Sequence, residues 1–252
     1  MRRQPILKLI QATVGVFGVY LARKINMPFG VDKITDIAAL CPRPRVIFDV
    51  GANVGQTVDE LRSIFAEASI YSFEPVPSTF KALIANTRRY RGVECIPCAL
   101  GDTPGTASIT DSGTSGQNTL NTSAKPGAPT VEVKVDTIDA FCVAHGIEAI
   151  DVLKIDTEGF EMSVLRGARG MLEHGSIGFV LAECEFTPNP AEPHGDFFEI
   201  APFMMGLGYR VVAFYSGGVD GGGWRWGDVL FMRPAGTRPV FCSPYAQIAR
   251  VR

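Results

Sequence analysis

The chain has 252 residues, 46% of them apolar and 20% charged, which suits one α/β domain with a real core and some elaboration. With 24 basic and 26 acidic side chains its net charge is −2, which removes any global electrostatic reason to bind nucleic acid. Six cysteines scattered between Cys41 and Cys242 argue against a small secreted disulfide framework and suggest reduced thiols in a cytoplasmic protein.

Arg2 and Arg3 precede an apolar stretch at 5–21, and Arg23 and Lys24 follow it. The basic start resembles a signal peptide, but Lys8 in the interior and the lack of a small-residue cleavage site argue against one. At about 17 residues the stretch is also marginal for spanning a bilayer. Ile6, Leu9, Ile10, Val14, Val16 and Leu21 fall mostly on one face of a helix. Residues 1–44 therefore read as a helical extension that packs on the domain or pairs two copies into a homo-oligomer. A peripheral membrane contact through residues 2–24, and with it a membrane-associated location, is the other reading.

From Arg45 onward short β-branched runs alternate with amphipathic helices, the pattern of a mostly parallel sheet covered on both faces. Strands are expected at 46–50, 70–73 and 93–99, and helices at 56–66 and 78–90, the second started by Ser78. Cys95 and Cys98 form a C-x-x-C inside the third strand. Residues three apart there point to opposite faces and no second pair or histidine stands nearby, so no zinc site is expected. Residues 101–129 are rich in Gly, Ser, Thr and Pro. Extended pieces at 106–109 and 130–135 should pair as an inserted hairpin that carries a mobile loop at 111–129. The alternation then resumes, with helices at 137–145, 161–172 and 197–207 and strands at 152–155, 177–182, 210–215 and 229–232. Between the last two strands, 217–227 reads as a glycine-rich turn holding Trp224 and Trp226. Residues 45–235 form one domain on this reading, and 236–252 a tail.

The first strand ends in Asp49 and runs into Gly51-Ala52-Asn53-Val54-Gly55. Glycines there permit a sharp turn and close approach of a ligand to the main chain, and the helix start beyond offers free N–H groups to a carboxylate. Asp49 could take an ammonium group of the same ligand. The spacing is not G-x-G-x-x-G, and no lysine follows as in a phosphate loop. Glu74, 25 residues after Asp49, ends the second strand before Pro75, where an acid can accept from a ribose diol. Asp102, after the third strand, could bond an adenine amino group or be a polar turn residue. Acids at successive strand ends share the carboxyl edge, where ligands bind in open α/β sheets.

Asp156 closes a buried strand, and Glu158 and Glu161 open the next helix, where carboxylates also gain from the helix dipole. A general base for an attacking hydroxyl is the functional alternative to capping. A divalent-metal site is disfavoured, since no histidine is near in sequence. Glu185 ends the fifth strand, and His194 on the loop after it is either a base or a surface residue. Trp224 and Trp226 could stack on an acceptor or pack at the rim.

In order along the chain, Phe48-Asp49-Val50-Gly51-Ala52-Asn53-Val54-Gly55, Phe73-Glu74-Pro75, Ala99-Leu100-Gly101-Asp102 and the run from Leu153 to Glu161 resemble the FkbM family of methyltransferases. Val164-Leu165-Arg166-Gly167-Ala168 and Gly227-Asp228-Val229-Leu230-Phe231 extend the resemblance over roughly 45–233. It implies a Rossmann-like class I methyltransferase fold, a mostly parallel doubly wound sheet, and methyl transfer from S-adenosylmethionine to a hydroxyl of a sugar, glycolipid or natural product. Asp49, Gly51, Ala52, Asn53, Gly55, Glu74, Pro75 and Asp102 then become cofactor positions. Asp156, Glu158, Glu185 and His194 are candidate proton acceptors.

Three rivals stay in play. One is a nucleic-acid methylase, whose expected [ND]-P-P-[YF] motif is absent, Asn189-Pro190-Ala191-Glu192 being only a partial echo, with a small-molecule N-methyltransferase beside it. The others are a non-catalytic nucleotide-binding module and a dinucleotide-dependent oxidoreductase, the latter disfavoured by the glycine spacing.

Overall fold

A computed structural model describes residues 29–111, 130–187, 195–220 and 223–234. The expected helix within 5–21, most of the loop at 111–129, His194 and the 236–252 tail lie outside the described residues.

Alternation of apolar side chains builds a seven-stranded sheet. In chain order its strands are β1 (Val46–Val50), β2 (Ser69–Phe73), β3 (Val93–Ile96), β7 (Ile150–Ile155), β8 (Ile177–Glu185), β9 (Arg210–Asp220) and β10 (Gly223–Met232). In space they run β3-β2-β1-β7-β8-β10-β9, parallel from β3 to β8, with β10 antiparallel to both of its neighbours. The chain order reverses between β1 and β7, which opens a crevice at their carboxyl ends.

The sheet is covered on both faces, as a parallel sheet must be. Ile47, Ile70, Val152 and Leu181 point to one face, under α1 (Lys33–Leu40) and α2 (Gln56–Ile64), which contribute Ile34, Ile37 and Leu61. Phe48, Phe73, Leu153 and Val180 point to the other, under α4 (Ile138–His145), α5 (Glu161–Gly167), α6 (Arg169–His174) and α7 (Phe197–Gly206). The hairpin forms as expected. β5 (Gly105–Thr110) pairs antiparallel with β6 (Thr130–Asp136), and β4 (Ala99–Leu100) completes a second sheet in the order β4-β6-β5.

Four details differ from the sequence reading. The third strand stops at Ile96, because Pro97 has no N–H to donate, and the chain resumes as β4 in the other sheet. Ser78 does not start its helix. Val76 is the N-cap of α3 (Pro77–Thr87), Pro77 takes the first turn, and Ser78 Oγ donates to Asp111 at 2.7 Å. The helix expected at 161–172 breaks at Ala168, where the Asp139 carboxylate accepts from the N–H groups of Gly170 (2.7 Å) and Met171 (2.9 Å) and so starts a new helix. Finally, 217–227 is largely strand. A Cβ on Gly217 or Gly218 would overlap the Trp226 ring, so these glycines make room for an indole across a long hairpin.

α1 was not anticipated as a separate element. Asp32 caps it, its Oδ1 accepting from the Thr35 N–H at 2.8 Å. Among the described residues no helix is long and apolar enough to cross a membrane. The five cysteines among them are unpaired.

Candidate active site

Phe73, Val50, Ile155, Ala182 and Val229 lie in register across five strands. One residue nearer the carboxyl edge, the same strands present Glu74, Gly51, Asp156, Glu183 and Asp228 in a row. A cavity of about 320 Å³ lies against Glu74, Gly51 and Asp156 of this row at the switch point, within the size range of ligand sites. Its wall includes Gly51, Ala52, Asn53, Glu74 and Pro75 on one side and Lys154, Asp156, Thr157 and Glu158 on the other.

The turn after β1 is fixed by its own backbone. The N–H groups of Gly51 and Ala52 both donate to the Phe73 carbonyl, at 3.1 and 2.9 Å. Asn53 sits at φ 50, a left-handed conformation that asparagine tolerates better than most residues. Its side-chain oxygen is buried, faces no partner and belongs to a wall residue. Gly55, also left-handed, is the N-cap of α2 and supplies no side-chain cap, so the first N–H groups of α2 are left for other partners.

Glu74 is buried, with Oε2 accepting from the Asn53 N–H at 3.0 Å and Oε1 from the Val76 N–H at 2.9 Å. Burial pushes its carboxyl up, against the pull of those two donors. Beyond it the wall turns apolar, with Val76, Ala99, Leu100 and Ile109 from α3, β4 and β5. Asp102 is exposed and is not among the wall residues.

Asp49 is fully enclosed and also absent from the wall. Lys154, its register partner on β7, stands in the wall instead, with Nζ 3.2 Å from Asp49 Oδ1, 3.3 Å from Asp156 Oδ2 and 3.2 Å from the Gly51 carbonyl oxygen. Burial works to discharge this ammonium, but Asp49 and Asp156 outweigh it and hold the lysine pKa above its ordinary value. From the sequence alone Lys154 had no role. The available signal was a lone cation among the apolar residues of 152–155, a buried run where lysine is almost never found unpaired.

Beyond β7, Glu158 is left-handed at φ 54 and lies in the wall. Its turn is held by Glu161, which is 1% exposed and accepts from the Thr157 N–H (2.8 Å), the Thr157 hydroxyl (2.9 Å) and the Gly159 N–H. Glu161 is thus a turn anchor. Burial, reinforced by the charges of Asp156, Glu158, Glu161 and Asp228, pushes the Glu183 carboxyl up to about 9. Asp228 pairs with Lys33 of α1 at 2.6 Å, and Lys33 reaches the cavity wall. Glu185 is buried outside that wall, 3.8 Å from the Arg225 guanidinium, and its Oε2 has no hydrogen-bond partner. Trp224 and Trp226 are half exposed, and Trp224 packs on Phe186 and Phe214. Among the described residues no group of three or more His, Cys, Asp or Glu is arranged to hold a metal ion.

The family model described as "Methyltransferase FkbM domain" matches residues 49–211. "Methyltransferase 1" of Beauveria bassiana is 28% identical over 179 residues, covering 60% of this chain and 72% of that protein. "Hexuronic acid methyltransferase AglP" of Haloferax volcanii is 30% identical over 149 residues, covering 58% of this chain and 59% of its own length. "31-O-demethyl-FK506 methyltransferase FkbM" of Streptomyces tacrolimicus is 27% identical over 198 residues, covering 67% and 74%.

Proposed function

The chain belongs to the FkbM methyltransferase family, and from that premise we propose that it methylates a hydroxyl oxygen of a sugar or natural-product acceptor at the cavity between β1 and β7. The observation that carries this reading is one cavity wall that joins a carboxylate, Asp156, to the glycine turn after β1, at the switch point of the sheet.

The wall fits S-adenosylmethionine. Asn53 Oδ1 is buried without a partner, which calls for a donor from a ligand. Glu74 keeps unused lone pairs for ribose hydroxyls, since each oxygen accepts one backbone N–H and can accept more. Val76, Ala99, Leu100 and Ile109 offer an apolar slot for adenine, and the uncapped start of α2 suits a carboxylate. When bound, this cofactor supplies a methyl group already activated on a sulfonium sulfur.

The protein's own work is to hold two reactants in line and exclude water. Asp156 is our choice of proton acceptor, taking the acceptor's hydroxyl proton onto a side-chain oxygen, because it lines the cavity whereas Glu185 does not. Glu158 is the second choice and His194 stays a candidate. The names of the archaeal and streptomycete relatives, which specify a hexuronic acid and a 31-O position, support an oxygen acceptor.

The test is to supply methyl-labelled cofactor with a panel of neutral sugars, uronic acids and hydroxylated polyketides. Label in a base-stable methyl ether is expected. Label confined to amines or nucleic acid would overturn the proposal.

A further inference from the structure

We infer that Lys154 is a positioning residue that locks the cofactor turn to the acceptor-side carboxylate, an inference that rests on the methyltransferase reading above. An ammonium has three N–H donors, and around Lys154 stand three oxygens from three separate places: Gly51 in the turn after β1, Asp49 within β1 and Asp156 beyond β7. All three lie at 3.2 or 3.3 Å.

Asp49 fixes the lysine from behind. It is its direct neighbour in the parallel register, is fully enclosed, and has the Lys154 ammonium, 3.2 Å from Oδ1, as its ion-pair partner. The other two oxygens are functional. The Gly51 carbonyl belongs to the peptide entering the turn, two residues before Asn53, and Asp156 is the candidate proton acceptor. A lysine that merely balanced Asp49 would need neither. Its place in the cavity wall, at 5% exposure, puts these contacts beside the ligand space rather than deep in the core.

The difficulty in testing this is that removing the lysine leaves Asp49 as an uncompensated buried charge, which destabilises strongly by itself. The decisive variant is therefore the pair Asp49→Asn with Lys154→Met, compared with Asp49→Asn alone. Thermal unfolding and calorimetric titration with S-adenosylhomocysteine are the readouts. The expected result is that the pair recovers most of the Tm lost in Lys154→Met but binds S-adenosylhomocysteine about 10-fold more weakly than Asp49→Asn, as for loss of a charged hydrogen bond. Recovery of Tm and affinity together would make Lys154 a counter-ion only and overturn the inference. If the pair does not refold, Lys154→Arg decides. It keeps the charge but not the compact three-donor geometry, and should show near-parental Tm with weakened affinity; parental affinity would overturn the inference. Absence of S-adenosylhomocysteine binding in the parent protein would instead remove the methyltransferase reading, a distinct outcome.

Discussion

The backbone of Gly51 packs directly against the carbonyl oxygen of Asp156, so closely that a Cβ at Gly51 would overlap that oxygen. The Asp156 N–H in turn donates to the Val50 carbonyl at 3.0 Å. Two motifs 105 residues apart in the sequence, the glycine turn and the acidic strand end, are thus one unit in the fold. A ligand seated on the turn is necessarily beside Asp156.

Gly51→Ala should therefore damage both halves of the site. The residue adopts φ +78, so a side chain adds backbone strain to the overlap. A loss of about 2 kcal/mol or more in urea unfolding is expected, with S-adenosylhomocysteine binding abolished. Parental stability and affinity would show that the turn can relax away from β7.

Glu161→Ala should loosen the turn at 156–160 without touching the ligand. Three donors now satisfied by one buried carboxylate would be left over, which costs about 3 kcal/mol. Denaturant unfolding reads the loss, and left-handed Glu158, held by that turn, should relax to an ordinary conformation in a crystal structure of the variant.

Asp156→Asn keeps the shape and removes the proposed proton acceptor. Turnover on the acceptor should fall about 100-fold while affinity for S-adenosylhomocysteine stays within about 3-fold. Glu158→Gln and Glu185→Gln should cost less turnover. Lost affinity with intact turnover in Asp156→Asn would transfer the role elsewhere.

Glu183 makes stability depend on pH. Its carboxyl titrates near 4.5 in the unfolded chain and at about 9 in the fold, so between those values the folded state holds an extra proton. Its contribution is fully present below 4.5 and is lost as pH rises through about 9. Tm measured from pH 5 to 9 should decline more steeply in the parent than in Glu183→Gln, with the variant gaining on the parent toward high pH. Parallel profiles would mean that Glu183 is ionised in the fold throughout.

Much of this was legible before the fold was known, because β1, β2 and β7 are short, mostly apolar runs that stop at Gly51, Glu74 and Asp156. Asp49, Glu74 and Asp156 were found that way, and the hairpin pairing of β5 with β6 was read from its extended pieces. Where reading failed, one local signal stood for another. Asp102 was placed by assuming the third strand ran unbroken to 99, but Pro97 diverts the chain into the second sheet, and Asp102 follows that sheet's β4. Glycines at 217 and 218 resembled turn chemistry and in fact accommodate an indole. Asp49 was expected to meet the ligand, yet Lys154 covers it, a three-dimensional relation that no spacing along the chain records.

Calorimetric titration of the parent protein with S-adenosylhomocysteine and, separately, with NAD tests the central claim most directly. Saturable 1:1 binding of S-adenosylhomocysteine, lost in Gly51→Ala and with no heat from NAD, is the predicted result. Tight NAD binding with no S-adenosylhomocysteine signal would contradict the account.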